Sequence, residues 1–368
     1  MYNQDHRIVL TLDAGGTNFV FSAIQGNREI VDPVTLPASP NDINACLDSM
    51  VRGFSMVKSQ LEAEPVAISF AFPGPADYEH GVIGGNLPNF PAFRSGVALG
   101  PFLSKHFQLP VYINNDGNLF AYGEALAGML PMVNQRLEAS GNPKRYRNLL
   151  GITLGTGFGA GVVINQVLLT GDNGCGGDVW LMRNKKYPQW IAEESVSIRA
   201  VMRVYGELSG CPTEGLTPKD IFDIAEGVVA GHQEAAKQSF SELGEMAGAA
   251  IVNALDIIDG LVVIGGGVSK ASKYIMPGLI KELRRSIETV EGRSFPALQM
   301  EVFDLSDADE YKRFLKPSSI EIDVPQYPGT KVIYSLEKRT AIAFSNLGAS
   351  KAIALGAYAY ALHQLDNQ

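Results

Sequence analysis

Arg7-Ile-Val-Leu-Thr-Leu12, Asp13-Ala-Gly-Gly-Thr-Asn18 and Phe19-Val-Phe-Ser-Ala-Ile24 follow one another without a break. An apolar run of strand length, a glycine turn and a second β-rich run predict a hairpin, with Arg28-Glu29-Ile30 opening a third strand. A dinucleotide-binding unit would instead pass from strand through glycine turn into a helix. The same unit returns downstream. Residues 148–153 read as a strand, Leu154-Gly-Thr-Gly-Phe-Gly-Ala-Gly161 as its turn, and Val162-Val-Ile164 as the returning strand, extended by Leu168-Leu169. Two such units about 140 residues apart form a weak internal repeat and predict two α/β halves of one topology.

Outward from these hairpins the pattern is α/β. Apolar spacing predicts helices over 41–63, 96–107 and 118–130, and strands over 65–72, before Pro73-Gly74-Pro75, and over 111–113. Residues 131–147 are polar and form a first candidate insertion. Helical spacing dominates 190–260, broken at Gly210-Cys-Pro212 and Gly231. An apolar strand at 259–264 runs into Gly265-Gly-Gly267, and a helix follows from Val268. Residues 292–345, with Pro317, Pro325 and Pro328, read as strands and loops and form a second candidate insertion. An apolar helix over 349–365 closes the chain.

Length and composition limit the function classes. A chain of 368 residues suggests about two domains. Apolar residues make up 46% and charged residues 19%, which excludes a disordered or fibrous chain. Thirty Lys and Arg against 39 Asp and Glu give a net charge of −9, which argues against nucleic-acid or anionic-membrane partners. Three widely separated cysteines, Cys46, Cys175 and Cys211, fit a reducing compartment. No charged-then-apolar leader and no 18-residue apolar run occurs, so a soluble cytoplasmic protein is expected.

Four short stretches carry chemistry. In the first turn, Gly15 and Gly16 let backbone N–H groups approach an anion, Thr17 adds a hydroxyl, and Asp13 at the strand end suits a Mg²⁺ that keeps phosphate company. An ordinary glycine hairpin fits the same letters. In the second turn, Gly155, Gly157, Gly159 and Gly161 alternate, leaving amides open to phosphates; no Gly-x4-Gly-Lys-Ser/Thr loop occurs anywhere. Asn114-Asn115-Asp116-Gly117-Asn118 lies after a strand and before a helix, where Asp116 suits either a general base toward a hydroxyl or a helix cap. Gly265, Gly266 and Gly267 suit close backbone approach to a ring or ribose, or a plain helix-entry turn.

In this order and spacing the four stretches resemble the ROK family of sugar kinases, within the actin-like ATPase and hexokinase superfamily. Asp13 to Asn18 is similar to that family's first phosphate loop and Leu154 to Gly161 to its second. Val262 to Ala271 resembles the adenosine segment, Asn115-Asp116-Gly-Asn118 with Gly123-Glu124-Ala125 the catalytic segment, and Gly85-Asn86-Leu87-Pro88 the sugar-contacting stretch. The resemblance implies two actin-like (ribonuclease H-like) α/β domains with mixed five-stranded sheets and a cleft between them that takes ATP and the sugar. On that pattern the first domain spans 1–117 with 349–368, and the second 118–348 with insertions near 131–147 and 292–345.

What the resemblance further implies is an ATP- and Mg²⁺-dependent kinase acting on the 6-hydroxyl of a hexose, glucokinase-like, as a homodimer. Asp116 is its expected base and Asp13 its Mg²⁺ residue, directly or through water. Asn86, Asn115, Asp178 and Glu193 are the expected sugar residues. Gly15, Gly16, Thr17, Asn18, Gly155, Thr156, Gly157, Gly265, Gly266 and Gly267 are the expected nucleotide residues. Two departures accompany it. Gly177-Asp178-Val179-Trp180-Leu181 stands where the family carries Gly-Glu-x-Gly-His, so Leu181 replaces a sugar-contacting His. Between Leu181 and Glu193 there is no Cys or His, so no structural zinc is expected. Alternatives are an N-acetylhexosamine or fructose kinase of the same family, or a non-catalytic sugar binder. A sugar-responsive repressor would carry a DNA-binding domain ahead of the first loop, where only twelve residues stand.

Overall fold

The computed structural model describes residues 1–74 and 76–367; Pro75 of the expected Pro73-Gly74-Pro75 turn and the terminal Gln368 lie outside them. The chain divides into two compact units, Met1–Gly128 with Gly161–Gly177 and Leu347–Gln368, and Met129–Ala160 with Asp178–Asn346. Among the described residues no helix is long and apolar enough to cross a membrane.

The first sheet contains β1 (Val9–Ala14), β2 (Asn18–Gln25), β3 (Arg28–Glu29), β4 (Val34–Pro37), β5 (Ala67–Ala71) and β6 (Val111–Asn114). Its order is β3-β2-β1-β5-β6, with the short β4 sharing the outer edge of β2 with β3. β1 and β2 are antiparallel, pairing Val9 with Ile24 and Ala14 with Phe19, while β1, β5 and β6 run parallel. The second sheet contains β7 (Leu149–Leu154), β8 (Phe158–Ile164), β9 (Val167–Leu168), β10 (Leu261–Gly265), β11 (Glu301–Asp304) and β12 (Arg339–Phe344). Its order is β9-β8-β7-β10-β12-β11. Apart from the extra edge strand β11, both sheets follow one scheme: a hairpin first, then parallel strands added beside its first strand. The two hairpin turns even match in length, Gly15-Gly16-Thr17 against Gly155-Thr156-Gly157.

Aromatic packing holds the first unit's sheet to its helices. Phe21 meets Phe54 edge-on at 5.0 Å between ring centres, and Phe72 packs on Phe90 at 4.7 Å. Both pairs lie in a fully buried cluster with Leu10, Leu12, Met50 and Ile68. Helix Ile43–Lys58 can sit this close because Gly53 leaves its Cβ space to the Phe21 ring. The helix starts where Asp42 accepts N–H bonds from Asn44 and Ala45 at 2.9 and 3.1 Å. On the sheet's other side, helix Ala349–Asp366 crosses helix Asp116–Leu126. Gly123 has no room for a Cβ beside the Ala352 carbonyl, nor has Gly356 beside that of Leu119. A backbone-on-backbone crossing fixes the second helix, and with it the start at Asp116.

Three expectations shift. Each sheet has six strands rather than five, the sixth being the short β4 in the first and the edge strand β11 in the second. The helix expected over 118–130 is two helices, Asp116–Leu126 and Met129–Ala139, separated where a Cβ on Gly128 would overlap the Glu124 side chain. The polar stretch after Pro131 is therefore partly helical, with Leu130, Val133 and Leu137 buried at helical spacing. Within 292–345 a helix, Ala308–Leu315, interrupts the strands. It begins where Asp307 accepts from the N–H groups of Asp309 and Glu310, and it buries only Phe314. One buried side chain in eight residues leaves no apolar period to read.

Candidate active-site residues

In the first unit, Asp13 and Asp116 both stand at the carboxyl ends of parallel strands, β1 and β6, where open α/β sheets take ligands. Asp13, Gly15, Thr17 and Asn18 are exposed, and the Thr17 carbonyl is held by the Ala38 N–H at 3.0 Å. Gly15 is required by space, because a Cβ there would lie 2.9 Å from the Asn18 carbonyl oxygen. Gly16 would meet only ordinary contacts, the nearest 3.5 Å away on Asn89. That approach also brings the Gly85–Asn89 loop to the first turn. Buried Leu87 anchors this loop and leaves Asn86 exposed beside it. A lone exposed carboxylate next to open amides suits Mg²⁺, which takes few protein ligands and completes its shell with water and phosphate.

The segment around Asp116 divides its work. Asn115 is the helix cap, with its side-chain oxygen accepting the Gly117 N–H at 2.8 Å. Asn114, buried beneath, accepts from the Asn115 N–H at 2.8 Å and from the Asn118 side-chain amide at 2.9 Å. Asp116 is thus not the cap but the first helical residue, and its Oδ1 also accepts from the Gly117 N–H at 2.8 Å. Its carboxylate stays open to solvent at its surface, yet protein crowds around it. Desolvation therefore raises its pKa above the usual carboxylate value, against the opposing pull of the Gly117 N–H. An accessible, poorly hydrated carboxylate is basic enough to take a proton from a bound hydroxyl.

In the second unit, the β7–β8 turn and the third glycine run meet. Gly266, with φ +93°, lies in a region that only glycine adopts readily, and a Cβ there would overlap the backbone of Leu154. Gly267 has open space, so one of the three glycines meets the steric demand. In the turn itself Gly155 is unconstrained, whereas a Cβ on Gly157 would lie 2.6 Å from Glu193 Oε2. That oxygen accepts the Phe158 N–H at 3.0 Å, and Glu193 Oε1 pairs with Arg199 at 3.2 Å. Arg199 also donates to Glu194 and, at 3.3 Å, to the Thr156 carbonyl. Glu193 is therefore engaged by the glycine turn at one oxygen and by a guanidinium at the other. Asp178 is exposed and precedes the short 3-10 turn Val179–Leu181 without making a side-chain cap bond. Leu181 is 53% exposed rather than a buried wall.

Arg199 and Asn89 were not singled out by the sequence; Asn114 and Asn118 were, but not the hydrogen bond between them. Only Arg199 left a signal. It lies in the first turn of helix Ile198–Ser209, where a cation opposes the helix dipole, so its position calls for nearby acidic partners.

Comparison with known proteins places the chain in a family. The model of the ROK family matches residues 9–302. The crystal structure of glucokinase from Parabacteroides distasonis ATCC 8503 is 57% identical, with 99% of each chain covered and a TM-score of 0.88. The glucokinase of Halalkalibacterium halodurans is 27% identical over 298 residues, which is 72% of this chain and 82% of that one. A ROK family glucokinase from Streptomyces griseus, solved in complex with glucose and AMPPNP, shares the fold at 19% identity and a TM-score of 0.59, covering 96% of this chain and 98% of its own. With the model spanning both glycine turns, Asp116 and the Gly265–Gly267 run, the chain belongs to the ROK family.

Proposed function

We propose that this protein is a glucokinase-type sugar kinase that transfers the γ-phosphoryl group of ATP to the 6-hydroxyl of a hexose. The observation that carries the mechanism is the Asn115–Asp116 division of labour. Because Asn115 caps the helix, the Asp116 carboxylate is left free of that duty, accessible, and raised in proton affinity. Asp116 takes the proton of the 6-hydroxyl as that oxygen forms its bond to the γ-phosphorus, and the bond from phosphorus to the bridging oxygen of ADP breaks. The proton stays on Asp116 until it passes to solvent.

The Gly15–Asn18 turn and Thr156 with Gly157 offer backbone donors to phosphate oxygens, the Gly155 N–H being held by the Gly157 carbonyl at 3.1 Å, and Gly265–Gly267 offers a flat backbone surface to the nucleoside. Bound Mg²⁺ neutralises phosphate charge, with Asp13 the residue fitted to hold it or its water. Asn86 and Asn115 supply amide groups, and Asp178 and Glu193 carboxylates, for sugar hydroxyls. Glucose as the hexose is supported by the 57% identity to the P. distasonis glucokinase over 99% of both chains. An ADP-release assay over glucose, mannose, fructose and the N-acetylhexosamines tests the proposal. Glucose is expected to give the highest kcat/KM. A preference for an N-acetylhexosamine would reject the sugar assignment, and no ATP turnover with any sugar would reject the enzyme.

A further inference from the structure

In the second unit, residues 183–191 form a loop that leads into the 3-10 turn Ala192–Ser195, which carries Glu193. At the base of the loop Arg183 and Ile191 make an isolated antiparallel bridge. There the Asn184 N–H donates to the Trp190 carbonyl at 3.0 Å, and the Ala192 N–H to the Met182 carbonyl at 2.7 Å. The Asn184 side chain is turned into the loop, and the residue is 2% exposed. An amide side chain offers two donor hydrogens and an oxygen with two acceptor positions, and here all four are used. Its Oδ1 accepts the N–H groups of Lys186 and Tyr187, both at 3.0 Å. Its Nδ2 donates to the Ile191 carbonyl at 3.3 Å and to Ser195 Oγ at 2.8 Å. The first two bonds shape the loop. The other two end two residues before and two residues after Glu193.

The outside of the loop is fastened as well. Lys185 pairs with Glu245 and Glu282 at 2.8 and 2.7 Å, and Lys186 with Glu242 at 2.9 Å. The Tyr187 and Trp190 rings, 4.3 Å apart, lie against the Arg203 guanidinium, which donates to the Glu194 carbonyl at 3.1 Å. Lysines that are 41% and 44% exposed hold a loop only weakly. Asn184 counts for more, because its loss leaves the buried Ser195 hydroxyl and two loop N–H groups without their partner. On the far side of the turn, Glu193 Oε2 accepts the Phe158 N–H of the β7–β8 turn at 3.0 Å. Two further bonds reach that glycine turn, from the Ile198 N–H to the Gly155 carbonyl and from Arg199 to the Thr156 carbonyl. Both come from the following helix, outside the hydrogen bonds of Asn184, so the path from Asn184 to the glycine turn runs through Glu193.

We propose that Asn184 is a positioning residue for the β7–β8 glycine turn: by closing residues 183–191 onto the Ala192–Ser195 turn, it holds Glu193 at the Phe158 N–H. A four-residue 3-10 turn has little internal support, and no side chain caps this one. Its shape must come from outside, and Asn184 supplies it at both ends, at Ile191 and at Ser195. A glutamate on a loose turn would sample many rotamers, and fixing it would offset what its one bond to Phe158 contributes. On a pinned turn much of that ordering is already done, so the bond forms at lower cost and the glycine turn keeps one shape. The inference rests on the kinase reading insofar as this turn takes the phosphates of ATP. The placement of Glu193 does not depend on it.

Two measurements on the full chain test it. Hydrogen exchange over residues 155–159 reads the Phe158 amide with no substrate present. Asn184→Ala is expected to speed that exchange about fivefold or more, the worth of a lost hydrogen bond. Ser195→Ala removes one oxygen and leaves the other three bonds of Asn184 in place, so a smaller acceleration is expected; this variant decides the test if Asn184→Ala does not fold. Steady-state kinetics supply the second measurement. Asn184→Ala should raise the KM for ATP about fivefold or more, because fewer chains hold the glycine turn in its binding shape. With Glu193→Ala already in place, the same substitution should change that KM less than about twofold, since the path from Asn184 is then cut. A merely structural asparagine would cost the same factor in both backgrounds. Unchanged Phe158 exchange in Ser195→Ala and in folded Asn184→Ala, or a KM loss of equal size with and without Glu193, would overturn the proposal. A wild type without turnover would reject the kinase reading, and the exchange measurement would still decide the role of Asn184.

Discussion

Replacing Asp116 with Asn tests the base assignment with little structural disturbance. Asn matches Asp in size, and its side-chain oxygen keeps the 2.8 Å bond from the Gly117 N–H. The helix start is guarded separately by Asn115 and by the buried Asn114–Asn118 pair. What the substitution removes is one negative charge and one proton acceptor. A general base is worth roughly 10²–10⁴ in rate, or about 2.7–5.5 kcal/mol of barrier, and kcat should fall by that factor with the KM for sugar little changed. Stability should move the other way. Burial raises the Asp116 pKa, so the folded chain binds that proton more tightly than the unfolded one, and holding the group ionised costs stability. The cost is absent below the unfolded carboxyl's pKa, grows as pH rises through the folded value, and is complete above it. Asp116→Asn should therefore raise Tm at neutral pH, with the gain vanishing under acid. Steady-state kinetics and thermal melts across pH measure both. A kcat within tenfold of wild type, or a Tm that falls at neutral pH, would refute the reasoning.

The other expectations follow from the second unit and the metal. Gly157→Ala brings a Cβ against Glu193 Oε2, the movable tip of that side chain, and displacing it from the partly buried Phe158 N–H should cost about 1 kcal/mol in a denaturant titration. Gly155→Ala enters open space and should stay within about 0.5 kcal/mol of wild type, while raising the KM for ATP more than that for sugar; equal losses of stability in the two variants would contradict the geometry. Arg199→Ala should raise the KM for ATP about two- to fivefold, the worth of an ion pair whose cation is 53% exposed. Arg199→Lys should recover only part of it, because an ammonium cannot span Thr156, Glu193 and Glu194 as the fork does. Metal analysis is expected to find no stoichiometric zinc, and chelation should stop turnover until Mg²⁺ is restored; one tightly held zinc per chain would mean that its ligands lie elsewhere.

The parts of this protein that local rules decide were open to reading from the sequence. A short run rich in apolar residues, a glycine turn and a returning strand leave few alternatives to a hairpin, and finding the unit twice at matching places predicted the matching halves now seen in the two strand orders. The position of Asp116, between a short strand and a helix, was equally local. Which residue capped that helix was not, because Asn115 and Asp116 are both good caps, and only the backbone path assigns the duty. The glycines show the same limit. Ten candidate nucleotide residues included seven glycines, and an added Cβ would crowd a nearby atom at Gly15, Gly157 and Gly266. For Gly157 that atom belongs to Glu193, thirty-six positions along the chain.

The two-stranded ribbon of Ser319–Asp323 and Lys331–Ser335 carries this limit to its end point. Alternation from Ser319 to Asp323 announces a strand with one apolar face, and the prolines and Gly329 beyond it announce a turn. Period two says nothing about which face meets the protein, since a strand turned over satisfies the same pattern. The usual presumption is that the apolar face goes inward. Here Ser318 of one face and Ser319, Ile333 and Ser335 of the other line a groove beside Tyr146 and Phe314, and both faces keep exposed apolar side chains, Ile333 on one and Val332 on the other.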